Sequence, residues 1–186
     1  MGDELVTKPP RKPGKLRATI VSWTQTIIIA LVLAFLISQF VIVNAAVVSG
    51  SMENTIMTGD RVICNRLSYL FRPPQRFDVI AFDYHEGGQS WIYVKRIIGL
   101  PGERLEIIGG LVYIDDATTP LYEGFVFEQL IGDFGPFYIP DEHYFVLGDN
   151  RNSSYDSKDW PDPFLPAEQI LGRAILVYHP RLELVS

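Results

Sequence analysis

Cysteine is all but missing from this 186-residue chain: Cys64 stands alone, which excludes an intrachain disulfide and any cysteine-rich zinc site. Within Arg61-Val62-Ile63-Cys64 it reads as a small apolar strand residue. Charge is missing altogether from Ala18 to Met52, a run that disfavours the core helix of a soluble domain. Basic residues are scarce beyond it. Residues 1 to 43 carry five of the 16 Lys and Arg against Asp3 and Glu4, which leaves 11 basic and 20 acidic residues downstream. So acidic a body disfavours contact with a phosphate backbone, and it has no basic patch interleaved with aromatics, so nucleic acid is not an expected partner. Lysine is rarer still, for between Lys15 and Lys158 there is only Lys95. Gly-x-Ser-x-Gly, Ser-x-x-Lys and any repeat of fixed period are absent.

What is present begins with the apolar run itself. Ile20 to Val43 number 24 residues, about 36 Å as a helix, against about 30 Å of hydrocarbon in a bilayer. A removable signal peptide is disfavoured, because the run exceeds the usual apolar region of such peptides and Asn44-Ala45-Ala46 is a poor cleavage site. The basic flank Lys8, Arg11, Lys12, Lys15 and Arg17 places the N-terminus in the cytoplasm by the positive-inside rule. The expected organisation is a cytoplasmic tail over 1–17, a transmembrane helix over 18–43 and an extracytoplasmic domain over 44–186. The lipid bilayer is thus an expected partner.

Beyond Asn44 short β-rich runs alternate with Gly and Pro, which predicts a mostly β, antiparallel body. Strands are expected at Arg61–Asn65, Asp78–Tyr84, Ser90–Ile98, Arg104–Ile108, Leu111–Asp115, His143–Leu147 and Ile170–Tyr178. Gly109-Gly110 predicts a hairpin, since two glycines allow the positive φ of a tight primed turn, and Leu100-Pro101-Gly102 predicts another turn. Residues 116–141, broken by Pro and Gly, read as a looser insertion.

Where the apolar run ends the chain presents Ser49-Gly50-Ser51-Met52. Eight residues from Val43, Ser51 stays within about 26 Å of a membrane surface even on an extended tether, so a membrane-bound substrate suits it. A serine needs a base. Lys95 sits among Tyr93, Val94, Ile97 and Ile98, and burial there would favour its neutral amine. His85, expected in a turn, His143 and His179 have no supporting motif, although dispersed triads exist. A histidine-based hydrolase and a non-catalytic anchored β domain remain alternatives at this point. The polar segment Gly148 to Lys158 has hydroxyls and carboxylates able to orient a buried amine.

Five ordered segments together resemble the bacterial type I signal peptidases, membrane-anchored serine proteases that remove signal peptides from exported preproteins. They are Ser49-Gly50-Ser51-Met52, Gly59-Asp60-Arg61-Val62, Arg76-Phe77-Asp78-Val79-Ile80, Tyr93 to Glu103 and Gly148 to Lys158. The resemblance implies Ser51 as nucleophile, Lys95 as general base, and the Ser49 hydroxyl with the Ser51 N–H as oxyanion hole. It implies that Ser154 orients the lysine, that Asp156 and Lys158 form a supporting ion pair, and that Gly148 to Asn150 form a structural turn. Val47, Val48, Met52, Ile56 and Val94 fall where the family lines its pockets for small residues. Signal-peptide-bearing preproteins are the implied partners, and neither metal nor organic cofactor is implied. Two positions depart: Asn54 stands where the family usually has proline, and Lys158 where arginine is usual. The first is expected to free one φ angle in the nucleophile loop, the second to lose a bidentate fork on Asp156.

Overall fold

The computed structural model describes residues 14–185. The expected tail over 1–17 therefore lies mostly outside the described residues. Two compact units divide the chain between Gln39 and Phe40. The first holds all but the last residue of helix α1, Gly14–Phe40, whose stretch Thr19–Phe40 is long and apolar enough to cross a membrane. Its few hydroxyls do not interrupt it, because Thr24, Thr26 and Ser38 donate back to the carbonyls of Ile20, Ser22 and Phe35 at 2.8 to 3.0 Å.

The helix ends at Phe40, short of the expected Val43, because the next residues are recruited to a sheet. Strand β1, Ile42–Ala46, pairs antiparallel with β2, Arg61–Asn65, and buries Val43 and Ala45. Along the body follow β3 (Val79–Glu86), β4 (Gln89–Gly99), β5 (Arg104–Ile108), β6 (Leu111–Ile114), β7 (Phe134–Tyr138), β8 (His143–Leu147), β9 (Leu165–Pro166), β10 (Ile170–His179) and β11 (Glu183–Leu184). The larger sheet runs β1-β2-β10-β3-β4-β8-β9, with β11 beside β10, and the smaller runs β6-β5-β7. All pairings are antiparallel.

The β5–β6 hairpin turns at Gly109 and Gly110, whose φ values of 56° and 77° suit a primed turn. At Leu100-Pro101-Gly102 the Glu103 N–H returns to Leu100 O at 3.2 Å. The segment 116–141 is not all loop, for β7 lies within it; Gly135 and Pro136 conceal an edge strand of that kind from any alternation rule. His85 is likewise not in a turn. It pairs with Ser90 in β3, and Gly87-Gly88 make the reversal.

Two features of β4 position the site. Lys95 stands opposite Ile80 and Arg96 opposite Val79, so the two cations point to opposite faces of a sheet covered on both sides. Strand β8 pairs with β4 only from Arg96 to Gly99, which leaves the outer edge of 91–95 without a strand partner. One core cluster, Val43, Met52, Ile56, Val62, Cys64, Val79, Ala81, Ala174 and Val177, backs the Ser51 turn. Burial pushes the Cys64 thiol up to about 12, so it stays protonated and inert.

Candidate functional site

Ser51 lies in the short 3-10 turn Gly50–Met52 that follows β1. Met52, 1 % exposed, drives this turn onto the core and carries Ser51 into a buried position. The segment after β8 clamps it from outside: the Asn150 N–H donates to Ser51 O at 3.0 Å, and its side-chain amide donates to Gly50 O at 3.0 Å. The Ser51 hydroxyl stands 3.3 Å from that of Ser49.

Gly148 is where the serines converge. A Cβ added there would lie 2.3 Å from Ser154 Oγ and 2.4 Å from Ser51 O, so only glycine allows this approach. The buried Ser154 hydroxyl has no hydrogen-bond partner among the described residues. Gly148→Ala is expected to lower the unfolding midpoint, because the added methyl must displace the Ser51 backbone or the Ser154 side chain. Thermal unfolding of the variant checks it.

Lys95 is 4 % exposed. Withdrawal from water lowers its amine to about 8, against the upward pull of Asp156 and with a downward push from Lys158. Its Nζ sits 5.7 Å above the Tyr93 ring. Lys95 and Ser51 line one cleft of about 500 Å3, and no hydrogen bond joins them among the described residues. That cleft is also bounded by Val47, Val48, Ser49, Met52 and Val94. Ile56 is not on it; fully buried, it packs beneath Met52 in the core, because the chain turns inward after Thr55. The aromatic wall of Trp91, Tyr93 and Tyr155 was not anticipated among the pocket residues, although the alternation of Trp91 and Tyr93 with Lys95 along one strand face could have suggested part of it. None of the three histidines borders this cleft.

Residues 20–179 match the model of a family described as "Signal peptidase, peptidase S26". A probable signal peptidase I-2 of a Synechocystis species is 36% identical over 165 residues, spanning 84% of this chain and 72% of that protein. A signal peptidase I of Leptolyngbya laminosa is 36% identical over 182 residues, spanning 92% and 88%. The crystal structure of a signal peptidase I from Enterococcus faecalis is 32% identical, with a TM-score of 0.46 over 55% of this chain and 97% of that one. The chain belongs to the signal peptidase family.

Two buried ionic groups brace this peptidase. Arg96 grips Asp149 bidentately at 2.9 and 2.7 Å, with both side chains at most 2% exposed, and its Nη1 donates to Phe77 O at 3.0 Å. The Thr55 hydroxyl donates to the same carboxylate at 2.5 Å, tying the loop after Ser51 to both. Arg96 was not anticipated; an arginine in an apolar strand next to Lys95 was the available signal.

The second group centres on Asp156, fully buried, which accepts from the Gly148 N–H at 2.9 Å and pairs with Lys158 at 3.1 Å. Lys158 makes no fork, but its ammonium also reaches Asp159 and Ser154 O, both at 2.7 Å. Three acceptors thus surround a group with three donors. Asn54 has a φ of 84°, a left-handed conformation that asparagine tolerates and proline, held near −65°, excludes.

Proposed function

We propose that this signal peptidase is a membrane-anchored serine endopeptidase whose nucleophile is Ser51 and whose general base is Lys95. The tail over 1–17 is cytoplasmic, the helix ending at Phe40 crosses the cytoplasmic membrane, and the body acts on the outer side. The observation that carries the reading is a lysine, almost wholly withdrawn from water and lowered to about 8, in one cleft with a buried serine hydroxyl.

The neutral Lys95 amine takes the Ser51 proton as Oγ bonds to the scissile carbonyl carbon. The carbonyl oxygen, now an anion, is met by the Ser49 hydroxyl and the Ser51 N–H, which sits at the start of a 3-10 turn where such groups lack acceptors within the turn. Collapse breaks the C–N bond, and the Lys95 ammonium returns its proton to the departing amine. Water then attacks the acyl carbon and gives a proton to Lys95; the C–O bond to Ser51 breaks, and the Lys95 ammonium returns the proton to Ser51 Oγ. Ser154, beside Gly148 and with no hydrogen-bond partner for its hydroxyl among the described residues, is free to orient the amine, and the ion pair of Asp156 with Lys158 holds that segment. Val47, Val48, Met52 and Val94 make apolar walls suited to small side chains, so signal peptides ending in small residues at the first and third positions before the cut are the proposed substrates.

The test uses the full chain in detergent with a preprotein carrying alanine at those two positions. Ser51→Ala and Lys95→Ala should each slow cleavage at least about a thousandfold. A Lys95→Ala protein working at full rate would overturn the assignment.

A further inference from the structure

Arg181, beyond the end of β10, reaches back to the loop that carries Ser51. Its Nη2 lies 3.1 Å from Asp60 Oδ2 and donates to Thr55 O at 3.1 Å, while Nε stands 2.7 Å from Glu183 Oε2. Both Thr55 and Asp60 belong to the stretch between the nucleophile and β2. Asp60 is buried, and its carboxylate accepts the Met57 N–H at 2.8 Å. Its carbonyl receives the N–H of Val47, a wall of the cleft, at 2.9 Å. Thr55 and Ile56 both donate their N–H groups to the carbonyl of Met52, the residue after Ser51, at 3.1 and 2.8 Å. On its other side Thr55 is held by Asp149. One guanidinium therefore ties the back of the nucleophile loop to the back of a substrate wall, and nothing else among the contacts of Arg181 explains so specific a pair of acceptors.

We propose that Arg181 is a positioning residue for the cleavage reaction, fixing the Ser51 loop and the Val47 wall in one geometry from outside the cleft. The proposal rests on Ser51 being the nucleophile. Arginine suits the role because its rigid, planar guanidinium brings Nη2 to the Thr55 carbonyl and the Asp60 carboxylate together, while Glu183, 2.7 Å from Nε without a hydrogen bond to it, adds only a nearby negative charge. Lysine keeps the charge beside Asp60 and lacks that planar geometry.

The experiment compares the full-length protein with Arg181→Lys, Arg181→Gln, Leu182→Ala and Ser51→Ala, in detergent, on a preprotein with alanine at the first and third positions before the cut. Arg181→Gln should lower kcat about tenfold or more with KM within about twofold, since misplaced reacting groups chiefly affect the chemical step. Arg181→Lys should recover part of that loss. Leu182→Ala, altering a side chain 80% exposed, should match the parent protein. The midpoint of the pH–rate profile should stay at the parent value in both Arg181 variants, because the arginine acts on the loop and not on the lysine. Parental kcat in Arg181→Lys and Arg181→Gln, a loss confined to KM, or a moved midpoint would each overturn the proposal. Should Arg181→Gln fail to fold, Arg181→Lys decides alone, with parental kcat counting against it. Activity in Ser51→Ala would instead sink the nucleophile assignment, which keeps the two failures distinct.

Discussion

Lys95→Met is expected to stop signal-peptide processing and, at neutral pH, to make the protein more stable. The two effects have one cause. The amine titrates near 8 in the folded protein and near 10.5 when solvated, so between these values the unfolded chain binds the extra proton and stability rises with pH. Below about 8 the folded state must hold an ammonium out of water, a burden of about 3 kcal/mol by that difference. Methionine fills similar space with no charge to desolvate, so unfolding at pH 7 should require about 1 to 3 kcal/mol more than for the parent. Well above pH 10.5, where the lysine is neutral in either state, the advantage should vanish. Chemical unfolding of both proteins at the two pH values checks this, and a methionine variant no more stable at pH 7 would count against a buried amine. On the proposed mechanism the same titration governs rate. The parent kcat/KM should rise about tenfold per pH unit below 8 and level off above it, since only the neutral amine can accept the serine proton.

Asp149→Ala should be among the most damaging changes outside the cleft. It would take from the Arg96 guanidinium, 1% exposed, the carboxylate it grips with two bonds, and from the Thr55 hydroxyl its acceptor. Breaking one side of a buried pair commonly costs about 3 to 5 kcal/mol, because the remaining charge stays withdrawn from water. Processing should fall with it, as Thr55 anchors the loop behind Ser51. Replacing both partners, Arg96→Met with Asp149→Leu, should recover much of the stability, since no buried charge is then stranded. Denaturant unfolding of the single and double variants measures the difference. A single variant within about 1 kcal/mol of the parent would show the pair to be solvated.

Much of the body was legible because its signals are local. Arg61–Asn65, Arg104–Ile108 and His143–Leu147 are strands with the expected bounds, and Gly109-Gly110 turns where two glycines permit it. The elements that escaped notice draw their stability from partners far along the chain. Ile42 and Val43 look like the last turn of an apolar helix until β2 provides hydrogen bonds and a core for Val43. Phe134–Tyr138, with a glycine and a proline inside it, is a strand only because β5 lies alongside. The same holds at the site. Ile56, apolar and near Ser51, reads equally well as pocket or core, and the inward turn after Thr55 makes it core.

From its amino acids alone the chain already determined a membrane-length apolar helix, an antiparallel β body and the reactive residue types, because periodicity, turn chemistry and charge depletion act over a few neighbouring residues. Only the tertiary structure decided how deeply Lys95 is withdrawn from water, that Asp149 neutralises Arg96, and that Arg181 returns to the loop after Ser51. Desolvation and ion pairing depend on which distant segments close over a group, and no local pattern specifies that.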